Sequence, residues 1–123
     1  MGGGEMLRNK VIEALGLRSE DKPGFYNGKH YTRYVDEVKS LMRDNRLDDA
    51  ERLLIELVNA TEAEARSGGF GVAPWYYERL AVLYRKKKDI EAEIAILERF
   101  ARQKHAPGAK PPKLLPRLEK LKK

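Results

Sequence analysis

Apolar residues return at helical spacing along almost the whole chain and divide it into short amphipathic stretches. Leu7, Val11, Ala14 and Leu15 make one stripe over residues 5–16, which Gly16 ends. Residues 17–29 read as a loop, with Lys22-Pro23-Gly24 and Asn27-Gly28 as turn formers. Tyr31, Tyr34, Val35, Val38, Leu41 and Met42 then predict a helix that stops near Asn45, a residue that tolerates the left-handed C-terminal position. Asp48 is the candidate N-cap of the next helix, with Glu51 as its capping-box partner. Leu53, Leu54, Leu57 and Thr61 carry that helix on, and Ser67-Gly68-Gly69 stops it.

After the connection Phe70–Ala73, Pro74 suits a first helical position, where its missing N–H costs nothing. Trp75, Tyr76, Tyr77, Leu80, Ala81, Leu83 and Tyr84 form a broad apolar helix closed by Lys86–Lys88. Asp89 caps a further helix whose inner face is Ile90, Ile94, Leu97, Phe100 and Ala101. His105–Gly108 ends it, Ala109–Pro112 is an extended link, and Leu114, Leu115, Leu118 and Leu121 predict a last helix that caps the open end. No stretch alternates with period two, so no strand is expected and the fold class is all-α. Three regions follow: residues 1–29, an N-terminal helix and loop; residues 30–105, paired helices; residues 106–123, a Pro-rich link and basic capping helix.

The helices repeat. Tyr34, Val38, Leu41, Leu47, Leu54 and Leu57 match Tyr77, Ala81, Tyr84, Ile90, Leu97 and Phe100 at a constant offset of 43 residues. A fixed offset across two helices marks stacked helical hairpins. Tyr77, Leu80, Ala81 and Tyr84, with Ala50 after the first turn, resemble the tetratricopeptide repeat. Glu93 and Glu37 depart from the pattern, Asn45 and Lys88 stand in place of its turn glycine, and the offset exceeds the family's repeat of about 34 residues. The stretches Tyr26–Thr32 and Val72–Glu78 are also similar to a bacterial helical module found at the end of larger multidomain proteins.

The resemblance implies an α–α superhelix acting as a protein-binding scaffold. The first helix of each hairpin would line its inner curve, with Thr32, Val35, Lys39, Met42 and Arg43 from one copy and Trp75, Glu78, Val82, Arg85 and Lys86 from the other. Such a mixed groove with a basic end suits a peptide or partner domain carrying acidic residues. Trp75-Tyr76-Tyr77 span too wide an arc to enter one core together, so Trp75 or Tyr76 is expected at the surface, as a loop cover or as a ligand contact.

Charge adds a second reading. The 123-residue chain has a net charge of +6, and residues 99–123 alone sum to +8. Nucleic-acid binding through this basic segment is therefore the alternative function, and self-association through the open repeat ends is a third. The chemistry expected is none: no catalytic residues, no cofactor and no metal. The chain has no cysteine. His30 and His105 lack a ligand one helical turn away. Glu62/Glu64 and Glu91/Glu93 stand two apart and point to different sides, so they read as caps or a solvated face. Glu93 is the exception, since the repeat buries that position. It should pair inside the hairpin with an Arg or a Tyr. Gly68–Gly71 lacks the Lys-Ser/Thr of a phosphate loop. With no signal peptide and no apolar run of membrane length, a cytoplasmic protein without membrane contact is expected.

Overall fold

The computed structural model describes residues 22–68, 71–103 and 114–122. The expected N-terminal helix 5–16, the link Ala109–Pro112 and His105 lie outside these residues. What is described is all-α apart from one small ribbon. That ribbon corrects the expectation of no strand: β1 (Phe25–Tyr26) and β2 (Lys29–His30) pair antiparallel, with Phe25 opposite His30 and Tyr26 opposite Lys29. Asn27 at φ 49° and Gly28 at φ 82° supply the two left-handed positions of a tight hairpin turn. Strands of two residues are too short for alternation to register, which is why only the turn was legible.

A 3₁₀ turn, Tyr31–Tyr34, leads into α1 (Val35–Arg43), followed by α2 (Leu47–Gly68), α3 (Pro74–Lys86), α4 (Ile90–Ala101) and α5 (Leu114–Lys122). Each helix packs chiefly on the next: α1 on α2, α2 on α3, α3 on α4 and α4 on α5. Pro74 takes the first helical position of α3, and the Asp89 carboxylate caps α4 by accepting from the Ala92 N–H at 3.0 Å. Asp48 does not cap α2. The helix starts at Leu47, which puts Asp48 inside its first turn, and the Asp48 carboxylate accepts instead from Lys87 Nζ at 2.6 Å.

The turns α1–α2 and α3–α4 are built alike. Arg46 N–H bonds the Leu41 carbonyl and Asn45 N–H that of Met42; Asp89 N–H bonds Tyr84 and Lys88 N–H bonds Arg85. These are the paired bonds of a Schellman stop, and the residues differ by 43 throughout. Asn45 (φ 60°) and Lys88 (φ 59°) hold its left-handed position.

The core runs through both helix pairs. Tyr34 and Tyr77, Val38 and Ala81, Leu54 and Leu97, and Leu57 and Phe100 are buried in both copies. Two expected core positions are not. Ile90 is 58% exposed, because it opens α4 at the solvent end of the layer, and Ala101 is exposed at the other end. Ile96 and Glu93 take their place on the inner face.

Candidate functional site

The expected partner-binding residues fall on the outward flanks of α1 and α3. Lys39, Arg43, Glu78, Arg85 and Lys86 are exposed; Val35, Met42, Trp75 and Val82 are half-buried. The starts of the two segments meet where the Tyr76 hydroxyl donates to the Tyr31 carbonyl at 3.1 Å and their rings stand edge to face at 5.2 Å. Burial pushes the Tyr76 hydroxyl up to about 12, so it stays a donor at any physiological pH. Trp75, beside it, packs its edge on the Tyr76 ring at 5.0 Å and carries the Arg79 guanidinium 5.9 Å from its own centroid. Trp75 is thus the surface member of the aromatic trio, and Tyr76 and Tyr77 are core.

Arg85, half of its side chain exposed, is also paired within the fold. It bonds Glu93 through Nε and a terminal nitrogen at 3.2 and 3.1 Å, and Arg117 of α5 reaches the same carboxylate at 3.0 Å. Glu93 therefore pairs inside the hairpin as expected, and across to the C-terminal helix as well. Burial pushes its carboxyl up, yet Arg117 and Arg85 outweigh burial and hold it below the ordinary carboxylate value. By contrast Lys39 and Lys86 have no ion pair among the described residues, and Arg43 reaches only Ser40 Oγ at 3.4 Å.

The reading of Glu62 and Glu64 as a solvated face is corrected. Glu62 is buried and accepts from the Tyr77 hydroxyl at 2.7 Å and from both arms of the Arg99 guanidinium at 2.8 Å. Burial, then Glu62, push the Tyr77 hydroxyl well above its ordinary range. Two residues on and facing another way, Glu64 accepts from Tyr31 at 3.1 Å and bonds His30 Nε2 at 2.6 Å. On its other side His30 Nδ1 lies 2.9 Å from Thr32 Oγ1 and 3.4 Å from the Thr32 backbone nitrogen. His30 is thus a cap for the 3₁₀ turn and a clasp onto α2. Gly24 makes that clasp possible: a Cβ there would meet Glu64 Oε2 at 2.5 Å. Glu51 completes the series, accepting from Tyr84 at 2.8 Å and Lys87 at 3.1 Å. These partners lie 15 to 37 residues away in sequence, so no local spacing announces them.

Among the described residues no group of three or more His, Cys, Asp or Glu could hold a metal ion. No described helix is long and apolar enough to cross a membrane. In the basic segment Arg99, Arg117 and Lys122 bond Glu62, Glu93 and Glu98; Arg102 and Lys120 are exposed. A depression lies on the other flank of α1. It is an open depression of about 710 Å³ between the ribbon, α1 and α2, lined among others by Tyr26, Tyr34, Leu41, Leu53 and Ile55. None of the expected site residues lines it. A scan against protein-family models finds no match to the chain, and searches of curated proteins and of solved structures find none either.

Proposed function

We propose that the chain is a protein-interaction scaffold that holds an acidic peptide or partner domain on the α1/α3 flank. One observation carries this reading: Lys39 and Lys86 stand exposed without an ion pair among the described residues, on the same flanks as half-buried Met42, Trp75 and Val82. Buried charge elsewhere in the described residues is consumed by internal pairs, as Glu62 and Glu93 show. Here cations remain available beside apolar surface, the mixture that a polar-rimmed, apolar-centred interface uses. Arg85, paired with Glu93 and half exposed, adds a third cation to the same flank. Two like turns 43 residues apart and the sequentially packed helices are compatible with a scaffold role, although a fold alone does not assign one.

Trp75 is the chain's only tryptophan, so its fluorescence reports on this flank alone. The test is a titration of a panel of acidic, neutral and basic peptides followed by Trp75 emission. Acidic peptides should bind, and Lys39→Glu with Lys86→Glu should weaken them by about tenfold or more, the effect of removing about 1.4 kcal/mol. No acidic binder, or affinity untouched by the double reversal, overturns the assignment.

A further inference from the structure

The depression on the far flank of α1 is independent of the proposed binding face. Its lining runs from Tyr26 and Asn27 of the ribbon to Arg46 of the α1–α2 turn. Bonds between Tyr31 and Glu64 and between Arg46 and Asp49 fix the antiparallel register of these segments. Leu41 therefore lies level with Leu53, and Glu37 with Glu56. The middle of the groove is apolar, with Leu41, Leu53 and Ile55 half-buried. At the turn end Asp49 binds both Arg46 and Arg52, which leaves that end with one positive charge. Toward the ribbon, Glu37 and Glu56 have no ion pair among the described residues. Lys29 of the ribbon lies over the Tyr34 ring, 4.5 Å from its centroid, and pairs with neither acid. The unmet charge is negative and gathered at one end.

A groove between two antiparallel helices is shaped for a third, which packs about 8–10 Å from its neighbours. α1 is nine residues long, about 14 Å. A helix about 10–12 Å across, sunk to half its depth over that length, displaces roughly 550–800 Å³. The depression holds about 710 Å³. The other end of the fold shows what such a seat takes. There α5 lays Leu115, Leu118 and Leu121 against the core, while its Arg117 and Lys122 bond Glu93 and Glu98 of α4. An apolar stripe flanked by cations closes that helix face and answers its carboxylates. On α1 and α2 the same kinds of group, leucines beside carboxylates, have no such helix over them among the described residues.

We propose that this groove seats a basic amphipathic helix of a partner protein, its apolar stripe on Leu41, Leu53 and Ile55 and its Lys or Arg side chains on Glu37 and Glu56. The two flanks of α1 then select opposite charge. The probes are two synthetic peptides of about 15 residues, long enough to be partly helical. Both carry Leu at helical spacing on an Ala background, with Lys beside the leucines in one and Glu in the other. Each is titrated into the full isotope-labelled chain and followed by amide NMR. The Lys peptide should shift the signals of Glu37, Leu41, Leu53, Ile55 and Glu56, and the Glu peptide should leave them in place. Trp75 emission reports the other flank separately, so failure of either assignment leaves the other standing. Glu37→Lys with Glu56→Lys should weaken the Lys peptide by about tenfold or more and admit the Glu peptide instead. Unshifted signals from Ile96 to Phe100 check that the doubly reversed chain is folded, and the gain of the Glu peptide separates charge recognition from damage. No shift at the groove residues, equal binding of both peptides, or affinity indifferent to the double reversal overturns the proposal. Sedimentation of the chain alone tests another occupant: a dimer that the same double reversal dissociates means that a second copy fills the groove, which also overturns it.

Discussion

Lys88 is held in a conformation that costs a side chain free energy, and replacing it should make the protein more stable. It sits at φ 59° in the Schellman stop of α3, exposed, with no side-chain partner among the described residues. A left-handed conformation costs a residue with a Cβ roughly 1–2 kcal/mol. Glycine escapes that cost but enlarges the unfolded ensemble, which returns about 0.4–1 kcal/mol. Lys88→Gly should therefore stabilise by about 0.5–1 kcal/mol, a rise in Tm of a few degrees for a domain near this size, about 2–6 °C. The matching turn supplies the control. Asn45 holds the same geometry at φ 60°, but asparagine visits this region at little cost, so Asn45→Gly should gain less. Lys88→Ala keeps the Cβ and should gain nothing. Thermal and urea unfolding followed by far-UV circular dichroism measure all three. A Lys88→Gly protein no more stable than the parent, or an Asn45→Gly gain that exceeds it, refutes the reasoning.

Two further outcomes follow from the buried carboxylates. Glu62→Ala strands the fully buried Tyr77 hydroxyl and leaves a void, so it should cost about 2–4 kcal/mol; Tyr77→Phe, which leaves the Glu62–Arg99 pair whole, should cost less, about 1–2 kcal/mol. Equal losses in urea unfolding would show that the hydroxyl bond, not the shared carboxylate, dominates. Glu93 gives the second outcome in acid. Its carboxyl lies below the ordinary 4.5 in the folded state, so its contribution is present above that value and is lost as pH falls through the lower folded one. Urea midpoints measured from roughly pH 6 down to pH 3 should fall less steeply for Glu93→Gln than for the parent.

Much of the fold was legible because its signals are local. The helical stripes, Pro74 at a helix start, the Asp89 cap and the left-handed stops at Asn45 and Lys88 all depend on residues within a turn or two of each other. The ribbon escaped because its strands are two residues long, although Asn27-Gly28 marked its turn. The polar clasps escaped for another reason. Glu62 looks like any surface glutamate until Tyr77 and Arg99 are brought to it by the packing of α3 and α4. Asp48 resembled a cap, but Lys87, 39 residues away, draws it off. Of the expected site, Lys39, Lys86 and Arg85 are exposed and Trp75 is half-buried, and the bond from Arg85 to Glu93 came into view only with the packing of α3 on α4.

The tyrosine–carboxylate bonds have a consequence for how this chain can vary. In a stack held by apolar contact alone, one hairpin can be lifted out and its neighbours closed up, since each unit meets only the next. Here Glu51 and Glu62 belong to the first hairpin while Tyr84, Tyr77 and Arg99 belong to the second. Swapping either hairpin for a foreign copy would separate these groups: Glu51 and Glu62 would lose their donors, or Tyr77, Tyr84 and Arg99 their acceptors. The two units share one inheritance and must change together.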